Sequence, residues 1–279
     1  MRIGIIGTEN SHGDHIIDHL NVRKAAGEAR IVALSGGRSE RNETLAGKGG
    51  IDQIVDQYTD LLGLVDAVII TDRHGGLHRE HATPFLAEGL PVFVDKPLAC
   101  TVEDAQAIID TALAHDAPLT SSSALRWIPD TDALAARTEL SGPPLVVVTS
   151  GPADPGSEHG GIFFYGIHPV DVALRLAPGE ISAVRTDTTA GTVTASFTAG
   201  PTRVVVNFVK PVGGTQIPFH GLTITRDTVT EQTLTLAEDY CVPGLEAFLE
   251  MAKTRRPPIC YPDLLRPIQV LESVARALE

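Results

Sequence analysis

Two short stretches of this chain carry groups able to move a proton. "PVFVDKPLA" delivers Lys96 off the end of an apolar strand, and Pro97 restricts its backbone to extended geometry, which makes Lys96 a positioned ammonium. "GGIFFYGIHPVD" sets His168 directly before Pro169, a residue favoured in the first turn of a helix. There the positive end of the helix dipole lowers an imidazole pKa, and a neutral ring accepts or relays a proton near neutral pH. Gly160, Gly161 and Gly166 flank it and permit the close backbone approach a substrate loop needs. Each stretch has a plainer alternative: Lys96 as a solvated lysine ahead of a turn, and His168 as a helix cap with Asp171 offsetting the dipole.

A third stretch, "GIIGTENSHGDHI", opens as a buried strand and meets Gly7 where a dinucleotide fingerprint begins, but Glu9 and His12 stand where its second and third glycines belong. Gly7 keeps the tight turn. A Glu9 carboxylate aimed at a pyrophosphate is unfavourable unless it turns outward. Ser11 and Asp14 have capping-box-like spacing, so side chains can satisfy amides that a phosphate would otherwise take.

The elements that must position these groups follow from periodicity. The runs "RIGII", "RIVAL", "DAVIIT", "PVFV" and "PLTSS" alternate with helical stretches near residues 11–22, 38–47, 75–88 and 101–115, the rhythm of a doubly wound parallel sheet. Beyond "SSSALRW", β-branched runs such as "PLVVVTS", "RVVVNFV" and "GLTITRDTVTEQTLTL" read as antiparallel strands joined by hairpins, with helices at "HPVDVALRLA", "GLEAFLEMAKT" and "DLLRPIQVLESVARALE". The expected fold class is α/β: a Rossmann-type doubly wound parallel sheet over residues 1–123 and an α+β domain with a mainly antiparallel sheet over 124–279, the last helix free to pack back on the first domain.

Ligands of open parallel sheets bind beyond the carboxyl ends of the strands, so the loops there supply the candidate contacts. For a cofactor these are Gly7, Thr8, Asn10, Ser11, His12, Ser35, Arg38, Thr71, His78, Asp95 and Lys96. The loop "SGGRSER" after the second strand has no carboxylate at Ser35 or Gly36 for a ribose diol. Its Ser35, Arg38, Ser39 and Arg41 suit a 2'-phosphate, which favours NADP over NAD; a solvated helix start is the alternative.

Composition narrows the partners. Of 279 residues, 22 are Lys or Arg and 35 are Asp or Glu, a net charge of −13 that argues against nucleic-acid or anionic-membrane partners. No apolar run approaches ~18 residues and the first residues lack a signal-peptide pattern, so a cytoplasmic protein is expected. Cys100, Cys241 and Cys260 are too few and too scattered for a disulfide framework or a cysteine metal site. Histidines at 12, 15 and 19 and at 74, 78 and 81 recur at helical spacing. The neighbours Ile16, Ile17 and Leu20 make the first face a packing face, and the second group straddles two glycines, so no metal is expected.

Taken in order, "YTDLLGLVDAVIITDRHGGLH", "FLAEGLPVFVDKPLACTVEDAQAIID", "YGIHPVDVAL" and "RRPPICYPDLLRPIQVLESV" resemble motifs of the Gfo/Idh/MocA oxidoreductases, over nearly the whole chain. The resemblance implies a nicotinamide-dependent dehydrogenase or reductase of sugars, polyols or related carbonyl and imine compounds, acting as a homodimer or homotetramer. It implies catalytic roles for Lys96 and His168, with Asp95 in place of the usual glutamate and His78 after the third strand. It places Arg126 and Trp127 beside substrate or cofactor, and with Lys96, Tyr165, His168 and Asp171 they form the expected substrate set. Phe164 stands where many members carry an aspartate, leaving the lysine–aspartate–histidine set incomplete. That departure, with Glu9 and His12, motivates a second reading: a non-catalytic ligand-binding or regulatory homologue. A lyase or hydrolase-like enzyme with a recycling dinucleotide is a third.

Overall fold

The apolar runs at 2–6, 67–70 and 92–95 are buried at nearly every residue, as strands covered on both faces must be. In the computed structural model, which describes residues 1–279, they are the centre of a six-stranded parallel sheet. Its elements are β1 (Arg2–Ile6), α1 (His12–Ile17), β2 (Arg30–Ser35), α2 (Ser39–Gly49), β3 (Gln53–Val55), β4 (Ala67–Ile70), α3 (His78–Ala87), β5 (Val92–Asp95), α4 (Val102–Ala114) and β6 (Leu119–Ser122). The order β3-β2-β1-β4-β5-β6 reverses direction between β1 and β4, the switch point at which doubly wound sheets open a ligand crevice. Gly7 ends β1 at φ +80°, and a Cβ there would lie 2.6 Å from the backbone nitrogen of Asp72. Only glycine fits that turn. The short edge strand β3, with two exposed residues and no apolar alternation, has no signature in the sequence.

The second sheet follows α5 (Pro129–Leu140) and comprises β7 (Val146–Pro152), β8 (Arg185–Thr189), β9 (Thr192–Ala199), β10 (Thr202–Val209), β11 (Phe219–Ile224) and β12 (Val229–Leu234), with α6 (Phe163–Leu176) between β7 and β8. Its order is β12-β11-β7-β10-β9-β8. All neighbours are antiparallel except β7 and β10, which run parallel from Val146–Arg203 to Pro152–Val209. The sheet is therefore mixed. A parallel pair needs a long crossover, and the segment through α6, β8 and β9 provides it.

Two compact units result. The first holds residues 1–99, 103–122 and 241–261; the second holds 100–102, 123–240 and 262–279. α8 (Tyr261–Ala277) thus lies almost wholly in the second unit, whereas α7 (Val242–Thr254) joins the first. Its apolar face explains this. Leu245, Phe248 and Met251 join the core of Ile3, Ile5, Ile31 and Leu34, and the Phe248 ring lies 5.7 Å from that of Phe93. No helix is long and apolar enough to cross a membrane.

Candidate active site

In the first unit β5 delivers Asp95 and Lys96 together, each only 4% exposed. Asp95 Oδ2 accepts a hydrogen bond from Asn10 Nδ2 at 3.0 Å and faces His12 Nδ1 at 2.8 Å. Burial alone would raise the Asp95 pKa, but the facing His12 and the adjacent Lys96 outweigh it and hold the carboxyl below its usual range. For Lys96, burial above all, with Arg73 adding repulsion, lowers the pKa against the pull of Asp95. It is a buried, positioned amine rather than a solvated surface lysine.

The loop after β1 is knitted inward. Asn10 Oδ1 receives the His12 N–H, Thr71 Oγ1 donates to the Gly7 carbonyl at 2.6 Å, and Thr8 Oγ1 donates to the Gly36 carbonyl at 3.1 Å. The missing fingerprint glycine at 12 thus holds a side chain that turns away from the loop, onto Asp95. Ser11 is exposed and makes no side-chain cap, while Asp14 pairs with Arg41, so the capping-box spacing does not produce a capping box. His78 differs from expectation as well. It is 0% exposed, its Nδ1 lies 2.7 Å from the Pro97 carbonyl and its Nε2 3.1 Å from that of Asp72, and burial lowers its pKa. Its side chain clamps the loop after β4 to the loop after β5. Asp72 and His81 pair at 2.7 Å beside it; of the two, only His81 stands out in the sequence, through its spacing from His74 and His78.

The 2'-phosphate set after β2 is not presented as the sequence suggests. Ser35 is 1% exposed and its carbonyl receives the Gly7 N–H at 2.9 Å. Arg41 turns inward to the Thr8 carbonyl and Asp14, both at 2.5 Å. Arg38 alone faces outward, paired with Glu9. Local sequence cannot show this, because the partners lie 27 to 33 residues away.

In the second unit α6 begins at Phe163, five residues before His168, and Pro169 lies inside it. His168 is therefore not at the helix start, and the dipole argument for its charge state does not hold. Its place is fixed instead by Ser123, whose Oγ lies 2.6 Å from Nδ1 and also accepts the Leu125 N–H. Asp171, one turn along α6, accepts the Ser123 N–H at 2.8 Å and pairs with Arg126 at 2.7 Å. Asp171 and Arg126 thus brace Ser123 and, through it, His168. Trp127 is half-buried and its N–H closes the turn at Ala124–Arg126. Ser123 lies in a loop rich in serine, and sequence reasoning does not distinguish it from Ser121 and Ser122. Substituting Ser123→Ala is expected to cost about 1 kcal/mol and to shift the Nδ1–Nε2 tautomer balance of His168. Nitrogen-15 chemical shifts check this, and an unchanged imidazole spectrum would contradict it.

A hollow of about 850 Å³ opens in this unit, walled by Asp154, Glu158, His159, Phe164, Tyr165 and Phe219. The Tyr165 and Phe219 rings also flank His168, at 5.6 and 5.4 Å. Phe164, where a carboxylate is expected, meets the tilted ring of His159 on one side and that of Tyr165 edge to face on the other, and supplies an apolar wall. A slightly larger hollow of about 910 Å³ lies at the amino ends of β1 and β2, lined by Arg2, Arg30 and Gly49 but by none of the candidate site residues.

A switch-point sheet with a glycine turn at its centre and polar loops at its carboxyl edge, the edge at which such sheets take a dinucleotide, is the architecture of a Rossmann unit. The edge fits such a group: Gly7 and Gly36 bring the first two loops into close backbone approach, a Cβ on Gly36 lying 3.2 Å from the Gly7 nitrogen. Residues 1–122 match the profile of the Gfo/Idh/MocA oxidoreductases, described as an NAD-binding Rossmann fold. The same region is 33% identical over 118 residues to an inositol 2-dehydrogenase of Agrobacterium fabrum and 35% identical over 118 residues to one of Gluconacetobacter diazotrophicus. These matches cover 41% of this chain and only 34% of either relative. The fold is shared with myo-inositol dehydrogenase from Lactobacillus casei in complex with NAD(H) and myo-inositol (TM-score 0.82, 19% identity, 100% of this chain and 94% of that one). A probable dehydrogenase from Thermotoga maritima is similar to the same degree (TM-score 0.83, 17% identity, 100% and 98%).

Proposed function

We propose that the protein is an NAD(P)-dependent dehydrogenase that interconverts a secondary alcohol and a ketone on a small polyol or sugar, with a cyclic polyol of the inositol kind as the first substrate to try. The observation that carries this reading is Lys96: a buried amine with a lowered pKa at the carboxyl edge of β5, in a domain that matches this family's profile. A bound nicotinamide supplies the hydride acceptor or donor. Gly7 and the loops after β1 and β2 would hold the dinucleotide, with Asn10 and His12 fixing Asp95 beneath them.

Oxidation of an alcohol releases a proton from oxygen as the hydride leaves carbon. Lys96, whose burial favours the neutral amine, takes that proton and returns it in the reverse direction. His168 is a second proton-exchange group, oriented through Nδ1 by Ser123. The hollow beside it, with aromatic walls at Phe164, Tyr165 and Phe219 and carboxylates at Asp154 and Glu158, suits a polyhydroxylated ring: apolar faces stack and hydroxyls donate. Titration with NADH and NADPH, followed by reduced-nicotinamide fluorescence, tests the reading before any substrate is known. Absence of binding by both at high micromolar concentration would end it. Binding without turnover on a panel of inositols, linear polyols and sugars would favour the non-catalytic alternative that Phe164 motivates.

The uncovered face of the second sheet is also proposed as a self-association surface. Val146, Val148, Val205, Leu222 and Ile224 alternate with the residues fully buried under α5 and α6, giving an apolar patch that is only half-buried. Sedimentation velocity showing a monomer at micromolar concentration would remove this proposal.

A further inference from the structure

Glu9 occupies a fingerprint position at which a carboxylate ought to oppose a pyrophosphate. The structure turns it aside. Its Oε1 accepts the backbone N–H of Arg38 at 2.8 Å and the Arg38 Nε at 3.2 Å, and Oε2 lies 3.4 Å from Nη2. The carboxylate is thereby carried from the loop after β1 to the carboxyl end of β2 and lies over Gly37. A Cβ on Gly37 would stand 3.4 Å from Glu9 Oε1 and 2.2 Å from Thr8 Oγ1, so the arrangement requires glycine there.

The end of β2 is where dinucleotide-binding sheets keep an acidic residue for the ribose diol, or an arginine for a 2'-phosphate. Here β2 supplies no acid: Ser35 is buried and Gly36 and Gly37 have no side chains. We infer that Glu9 serves in its place, as the ribose-diol acceptor that makes the protein select NAD over NADP. This inference rests on the dehydrogenase reading above.

Three features support the assignment. Oε2 has one weak donor and keeps lone-pair capacity for a hydroxyl, and the side chain is 35% exposed, so a ligand can reach it. Arg41 is turned inward, which leaves Arg38 as the only guanidinium of this loop pointing outward, and Glu9 already neutralises it. A 2'-phosphate would have to displace that carboxylate or sit against it. Third, the Arg38 backbone N–H holds Glu9 as well as the guanidinium does. An ion pair with one partner 76% exposed is weak by itself, but the main-chain bond does not depend on the arginine side chain.

The last feature separates the two residues experimentally. Fluorescence titrations give the ratio of NADPH to NADH dissociation constants for the wild type, Glu9→Gln and Arg38→Ala. The wild type should favour NADH by about tenfold or more, the size of one charge-assisted hydrogen bond. Glu9→Gln keeps an acceptor for the Arg38 N–H but loses the charge and frees the guanidinium, so its ratio should fall by about tenfold. Arg38→Ala should stay within about threefold of the wild-type ratio, because the carboxylate remains in place. A wild type that prefers NADPH, or a Glu9→Gln ratio within about twofold of wild type, would overturn the inference and leave the dehydrogenase reading standing. Failure of the wild type to bind either dinucleotide would overturn both. An unchanged thermal midpoint in Glu9→Gln shows that the fold is intact.

Discussion

Lys96→Met is expected to lower turnover by roughly 10²- to 10⁴-fold, the usual contribution of a positioned acid or base, while leaving the NADH dissociation constant within about threefold of wild type. The substitution keeps the volume of a side chain that is 4% exposed and removes only the amine. Its effect on stability should run the other way. Burial lowers the Lys96 pKa, so the folded state holds this proton less tightly than the unfolded chain does. The penalty of burying the ammonium is fully present below the folded pKa and is relieved progressively as pH rises from there to the ordinary lysine pKa of the unfolded chain. At neutral pH the methionine variant should therefore melt no lower than the wild type, with Asp95 still held by His12 and Asn10. In the oxidative direction kcat/KM should rise with pH through the lowered Lys96 pKa, and Lys96→Met should lose that limb. Initial rates across pH, dinucleotide titration and thermal melts together check this, and turnover within a few-fold of wild type would remove Lys96 from the reaction.

The second large effect concerns stability. Asp171 and Arg126 form a nearly buried ion pair, with side-chain exposures of 5% and 14%, and Asp171 also accepts the Ser123 N–H. Asp171→Ala strands a guanidinium and a backbone donor, for an expected loss of about 3–5 kcal/mol. Asp171→Asn keeps an acceptor and should lose less. Replacing both partners, as Asp171→Leu with Arg126→Met, should recover much of the loss, since the cost lies in leaving one charge unpaired. Urea denaturation of the four proteins measures this through the shift of the second unit's transition, because two units need not unfold together. A loss below about 0.5 kcal/mol for Asp171→Ala would show that the pair is not closed in solution. The same variant should broaden the His168 imidazole resonances, because the brace on Ser123 is gone.

How far each feature was legible depends on the range of the interactions that decide it. The strands β1, β2, β4, β5 and β6 declare themselves in local apolar runs. The mixed order of the second sheet does not, since hairpin periodicity says nothing about whether β7 pairs with β10 or in which direction. Pro169 shows the limit of a local rule: its preference for a first turn is real, yet α6 begins six residues ahead of it, at the buried Phe163, and Pro169 lies buried inside the helix. α7 was legible as a helix but not as part of the first unit, because its partner Phe93 lies 155 residues earlier, from 248 − 93.

The alternation of elements, the glycine turn at the end of β1 and the delivery of Lys96 from β5 each follow from residue type and spacing within one turn or strand. The tertiary structure decided what the side chains do. Lys96 becomes a buried amine only when β5 is covered. His168 is held by Ser123, 45 residues away, rather than by its own helix. The arginines that suggested a phosphate site are drawn inward or neutralised by Asp14 and Glu9, whose positions depend on β1 and β2 lying side by side. Electrostatic pairing acts across space, and no spacing rule along the chain encodes which charge it brings near.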